Sequence, residues 1–196
     1  MAQLGWFILF ALTAFAQPTT GLIGRWRSVE TSKGGIGMIF EFHDAGILDF
    51  SSGAVVELKY RIEGNELILP PATTNGPEQR QTMEWQPADR LILKGADTLS
   101  RQGPARDANR PILGEWTARR EMDGVALQVR YLFDGEGNCL FLLPFKWQKG
   151  GYSVKGATMR VQYPGQAPVE GPFRIEGDML TIPRASGKGE TRLRRY

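Results

Sequence analysis

Chemistry has few places to start in this chain. His43 is the only histidine among the 196 residues. Asp44 follows it, so a base with an orienting carboxylate can be drawn there. With no second histidine, metal centres built on two or three imidazoles are excluded. The carboxylate pairs Asp44/Asp49 and Asp134/Glu136 could share acid and base work, but both sit in or beside turns, where such residues bind backbone amides. Asp134 takes the place of His43 in the second half of the chain, which favours a turn residue over a catalyst. No Gly-x-Ser-x-Gly elbow, phosphate-binding loop or dinucleotide fingerprint is present. Cys139 is the single cysteine. It allows no intramolecular disulfide and reads as a small core hydrophobe. The chain therefore reads as no enzyme, with no metal and no cofactor.

Binding is the chemistry that remains. Net charge is +3 and the pI about 9.1. The one dense basic cluster is Arg192, Arg194 and Arg195 beside Tyr196, and other cations are interleaved with acids, so nucleic-acid binding is not expected. Trp85, Trp147, Tyr60, Tyr152 and Tyr163 supply flat amphipathic surface suited to recognition. Leu140-Phe141-Leu142-Leu143-Pro144-Phe145, followed by Lys146-Trp147, breaks polar alternation, and a strand apolar on both faces needs cover on both. The other half of the chain is the first candidate for that cover. Leu142, Phe145, Trp147 and Tyr163 are the candidate contacts for a small apolar ligand or, alternatively, a protein partner.

The elements that must position these residues are strands. Leu127-Val129-Tyr131-Phe133 alternates with more polar neighbours at period two, as do Met38, Phe40 and Phe42. Turns at Asp44-Ala45-Gly46, Gly64-Asn65 and Asp134-Gly135 punctuate them, and no run holds a 3.6-residue apolar period. The pattern is also duplicated. Ile23-Gly24-Arg25-Trp26 matches Leu113-Gly114-Glu115-Trp116 at a spacing of 90, Phe42 matches Phe133 at 91, Tyr60 matches Tyr152 at 92, and Leu99 matches Leu193 at 94. The growth in spacing is expected to lie in loops. Residues 22–101 and 112–196 are thus two copies, joined by a Pro-containing linker over 102–111. Their Pro-rich loops, 70–81 and 164–172, are the expected rims of a mouth.

Residues 1–16 differ from the rest. An uncharged apolar block from Gly5 ends at Ala14-Phe15-Ala16, the small-x-small pattern of a signal peptide, and the mature chain would begin near Gln17. The competing reading is a buried N-terminal strand. Export places the protein in the periplasm or outside the cell. After cleavage no apolar segment approaches the roughly 20 residues a membrane-spanning helix requires.

Each copy, with seven or eight short strands, reads as a small antiparallel meander barrel, since closure removes exposed sheet edges. Gly24-x-Trp26 with Arg101, and Gly114-x-Trp116 with Arg195, resemble the first-strand and last-strand signature of small lipocalin-like, or calycin-type, domains of secreted bacterial proteins. That resemblance implies a Trp plugging one end of each barrel, with the last-strand Arg stacked over it. A guanidinium over an indole contributes about 0.5–2 kcal/mol. Each copy is shorter than a full-sized ligand-carrying lipocalin, and side chains are expected to fill much of so small a barrel.

Overall fold

A computed structural model describes residues 21–196 apart from 72, 74 and 88. The segment read as a signal peptide, residues 1–16, lies outside the described residues. The fold is all-β, with no α-helix among the described residues. The first half supplies β1 (Gly24–Ser28), β2 (Ile36–Phe42), β3 (Ile47–Lys59), β4 (Arg61–Glu63), β5 (Glu66–Leu69), β6 (Gln79–Gln86), β7 (Arg90–Leu93) and β8 (Thr98–Gln102). The second supplies β9 (Gly114–Met122), β10 (Val125–Phe133), β11 (Asn138–Pro144), β12 (Gln148–Lys155), β13 (Thr158–Gln162), β14 (Val169–Pro172), β15 (Arg174–Glu176), β16 (Met179–Pro183) and β17 (Glu190–Arg195). Local chemistry accounts for the hairpins. Between β9 and β10, for example, Asp123 and Gly124 both take positive φ, 52° and 75°, the conformation a tight right-twisted hairpin demands.

The ladders do not follow the order of the chain. β1 pairs with β2 on one side and with β17, the last strand, on the other. β8 pairs with β9 rather than with β1. Two cores result, and each draws on both halves of the sequence. The Trp26 core gathers Trp26, Phe40, Phe42, Leu48 and Phe50 from the first half with Met159, Val161, Phe173, Leu180 and Leu193 from the second. The Trp116 core gathers Leu67, Met83, Leu91 and Leu99 with Trp116, Val129, Phe133, Cys139 and Leu143. Residues 22–101 and 112–196 therefore do not each hold a core of their own.

The expectation of two closed barrels in tandem is corrected accordingly. The sheet is open: among the described residues β14 pairs with β13 and β15 with β16, while β3 pairs with β2, β11 and β12 and β4 with β5, so neither β14–β15 nor β3–β4 is joined by a ladder. At those two seams the chain itself crosses, through Phe173 and Tyr60. The reason for the exchange is the length of β3. Thirteen residues extend about 40 Å, more than one small core spans. Leu48 and Phe50 on its inward face enter the Trp26 core, while Ala54 and Leu58 on the same face enter the Trp116 core. β3 lies antiparallel to β11 over Lys59↔Asn138 to Gly53↔Pro144, and to β12 over Phe50↔Gln148 to Ile47↔Gly151.

Between those two registers, Phe145, Lys146 and Trp147 face only Ser51 and Ser52. This β-bulge is what keeps both ends of the strand inward. Cys139, Phe141 and Leu143 point to one core from odd positions, whereas Tyr152 and Val154 point to the other from even ones. One extra residue reverses the parity. The added residue between the Phe42/Phe133 and Tyr60/Tyr152 spacings is therefore in the strand pair, not in a loop. At the crossing the backbones touch, since a Cβ on Gly53 would lie 2.3 Å from the Leu143 carbonyl oxygen. A third, smaller cluster of Ile39, Val55 and Leu142 fills the space between the cores. Around it Arg25 grips Glu115 through two hydrogen bonds of 2.5 and 2.6 Å, and Arg130 reaches Glu41 at 2.7 Å. Such half-buried pairs contribute little net stability but fix orientation.

Candidate functional site

Each core is plugged by its tryptophan, and the plug determines what stands beside it. Trp26 Nε1 donates to the Leu22 carbonyl at 2.8 Å, and Trp116 Nε1 to the Ile112 carbonyl at 2.7 Å. The stacked arginine is present in both cases but comes from the opposite half. Arg195 lies 4.2 Å over Trp26, and Arg101 lies 4.2 Å over Trp116. The expected pairs, Trp26 with Arg101 and Trp116 with Arg195, are corrected by the ladders Trp26↔Arg195 and Arg101↔Trp116. Each guanidinium also donates to backbone carbonyls, Arg195 Nη1 to Ile23 at 2.9 Å and Arg101 Nη1 to Leu113 at 3.1 Å. The glycine of each Gly-x-Trp makes room: Gly24 and Gly114 take φ of 127° and 120°, and a Cβ on Gly24 would lie 2.6 Å from Arg195 Nη1. These four residues are scaffold.

Beside the Trp116 plug lies an open groove of about 480 Å³, floored by Tyr60, Ile62, Met83 and Trp85 and flanked by Arg61 and Arg110. Trp85 is 43% exposed and Ile62 equally so, with the Trp85 and Trp116 rings 5.9 Å apart. Tyr60 is fixed by donating to the Asp134 carbonyl at 2.7 Å, and burial raises its phenol above the ordinary range. A smaller groove of about 410 Å³ borders the Trp26 core with Ile23, Tyr152 and Val154. There Tyr152 donates to the His43 carbonyl, also at 2.7 Å. The two ends diverge on the groove floor. Trp85 pairs with Leu91, and at the matching position Ile175 pairs with Leu180.

The rim of the Trp85 groove was not expected. Among the described residues the Pro-rich loop 70–81 does not line it; the linker does, through Asn109, Arg110 and Pro111. Asp107 orders that linker, accepting from the Asn109 amide and Arg110 Nε, both at 2.9 Å. The Asp-x-Asn spacing, an Asx turn, is the sequence signal that could have marked this linker as structured.

The other predicted contacts separate into two groups. Leu142 is fully buried against Ile39 and Val55, and Tyr163 is 4% exposed in the Trp26 core. Both are packing residues: the first half covers the outer face of the apolar run at Leu142, and Tyr163 packs edge-on to Phe50. Phe145 and Trp147 stand on the bulge, 41% and 38% exposed. His43 Nε2 meets Asp49 at 3.1 Å, not Asp44, and Lys149 shares that carboxylate at 3.0 Å. Cys139 is buried in the Trp116 core, and burial pushes its thiol up to about 12, leaving it inert. Among the described residues no three His, Cys, Asp or Glu side chains gather into a group able to hold a metal ion. No described helix is long and apolar enough to cross a membrane.

Sequence reasoning missed one buried polar network. Arg120 donates to both Asp97 oxygens, from Nε at 2.8 Å and from Nη2 at 2.7 Å, and Tyr131 donates its hydroxyl to Asp97. Burial pushes the Asp97 carboxyl up, but the Arg120 and Tyr131 hydrogen bonds outweigh it and hold the acid below its ordinary range. Tyr131 is raised by burial and by Asp97. The available signal was parity: on β9, Arg120 shares the inward positions of Trp116 and Ala118, and an inward arginine needs a buried acceptor.

The chain matches no known protein family, curated protein or solved structure. Function must be argued from the site.

Proposed function

We propose that this chain is an exported, non-catalytic binding protein, a tandem pair of lipocalin-like units that have exchanged strands, and that it seats a small apolar ligand in the Trp85 groove. The groove carries the reading. It joins an exposed indole, an exposed isoleucine, a thioether and a phenol in one concavity, with Arg61 and Arg110 also lining it. Pockets for small molecules have this composition, mostly apolar with a few polar groups at fixed places. The Gly-x-Trp and arginine stacks at both ends support the tandem lipocalin-like reading, and the apolar block before Gln17 supports export. Protein interaction through the apolar run is the weaker alternative, because Leu142 and Leu143 face inward and only Phe145 and Trp147 remain exposed.

The test is titration with anilinonaphthalenesulfonate, whose fluorescence rises in apolar sites. Wild-type protein is expected to bind it with a blue shift, and Trp85→Ile to weaken binding about tenfold, the effect of losing one aromatic contact. Unchanged dye binding in Trp85→Ile would remove the groove from consideration.

A further inference from the structure

A second cleft, of about 450 Å³, opens between the two cores on the side of the linker. Arg27 of β1, Arg194 of β17 and Arg106 of the linker line it, with Leu132 and Leu140 forming an apolar wall and Tyr196 closing one side. Three observations set this cleft apart. First, Arg27 and Arg194 face each other directly across the β1–β17 ladder. Like charges in that position repel, and burial, with Arg194 adding to it and Asp178 opposing, lowers the affinity of Arg27 for its proton.

Second, among the described residues two buried side-chain polar atoms have no hydrogen-bond partner: Arg27 Nε and the Tyr196 hydroxyl. Both residues line this cleft. Arg27 is 6% exposed, and an unmet donor at that depth is destabilising. Third, the nearby carboxylates are already engaged. Glu57 is held by Arg27 Nη2, and Asp178 lies 3.4 Å from Arg194 Nε. Asp134 accepts from the Glu136 and Asn138 amides at 2.9 and 2.8 Å and from Asn138 Nδ2 at 2.7 Å. Glu115, close to Arg106, is occupied by both Arg25 nitrogens.

We infer that the inter-core cleft is a binding site for a small organic anion, its oxyanion held among Arg27, Arg106 and Arg194 and its short apolar body laid against Leu132 and Leu140. An oxyanion offers acceptors to Arg27 Nε and the Tyr196 hydroxyl, and its charge relieves the arginine pair. Guanidinium–oxyanion hydrogen bonds are charge-assisted and directional. The site is separate from the Trp85 groove and stands or falls without it.

Calorimetric titration with hexanoate, at fixed ionic strength in chloride, tests this. The wild-type protein is expected to bind hexanoate and not hexanol, which has the same body without the charge. Arg194→Ala and Arg106→Ala, both more exposed and tolerant of change, should each weaken hexanoate binding about tenfold or more. Arg27→Met should abolish it, with circular dichroism reporting whether that variant folds. Trp85→Ile should bind hexanoate as the wild type does. No hexanoate binding, equal binding of hexanol, binding untouched by both exposed-arginine variants, or loss of binding in Trp85→Ile would each overturn the proposal.

Discussion

The two cores answer one structural demand with different interiors. Opposite Trp26 on the neighbouring strand stands Phe40; opposite Trp116 stands Tyr131. The Trp26 core continues that apolar choice, with Phe40 stacked on Phe42 and Phe50, and Tyr163 edge-on to Phe50. The Trp116 core commits the Tyr131 hydroxyl to Asp97 and brings Arg120 to the same carboxylate. The Trp85 groove lies on the side of that second core. What the two ends have in common (an indole, a guanidinium, a glycine at positive φ) is scaffold, and what differs is polar or exposed. Specialisation is to be sought at the differences.

The comparison can be broken most forcefully at the plugs. Trp26→Ala and Trp116→Ala should each cost about 3–5 kcal/mol. Because β3 serves both cores, each variant should still unfold in one denaturant transition, coincident by tryptophan fluorescence and circular dichroism. Two separate transitions would mean the cores are independent. Next comes the polar network, which only one core has. Asp97→Asn should cost about 2–3 kcal/mol, discounted for the partial exposure of Arg120. The sign of its pH dependence follows from an acid whose folded value is depressed. Its contribution is complete above the unfolded value near 4 and is lost as pH falls through the folded one. Wild-type stability should therefore drop on acidification below about pH 4 more steeply than that of Asp97→Asn. The smallest effect expected is none. A protease site placed between Gly103 and Asp107 and then cut should leave both fragments eluting together in native size-exclusion chromatography, since each core holds strands from both. Separation of the fragments would refute the exchange.

Much of the fold was legible because it is local. The period-two pattern of β10, the turn at Asp134-Gly135, and a guanidinium destined for each indole all follow from residues close in sequence or alike in type. Which arginine reaches which indole was not legible. Arg101 and Arg195 end similar strands, and either would satisfy Trp26 locally; the length of β3 decides between them. The bulge at Phe145–Trp147 was visible only as one residue of extra spacing. The Asp97–Arg120–Tyr131 network joins three elements whose proximity no local pattern encodes. Of the predicted contacts, Leu142 is buried because a run apolar on both faces can be covered from within, and Tyr163 is buried edge-on to Phe50.

The strand exchange also imposes a schedule. Every member of the Trp116 core lies before Cys139 and Leu143 or is one of them, so that core can close once the chain has grown that far. The Trp26 core must wait for Leu193, about 3–10 s later at ordinary rates of synthesis. During that interval Trp26, Phe40, Phe42 and Phe50 have been made, and their partners have not.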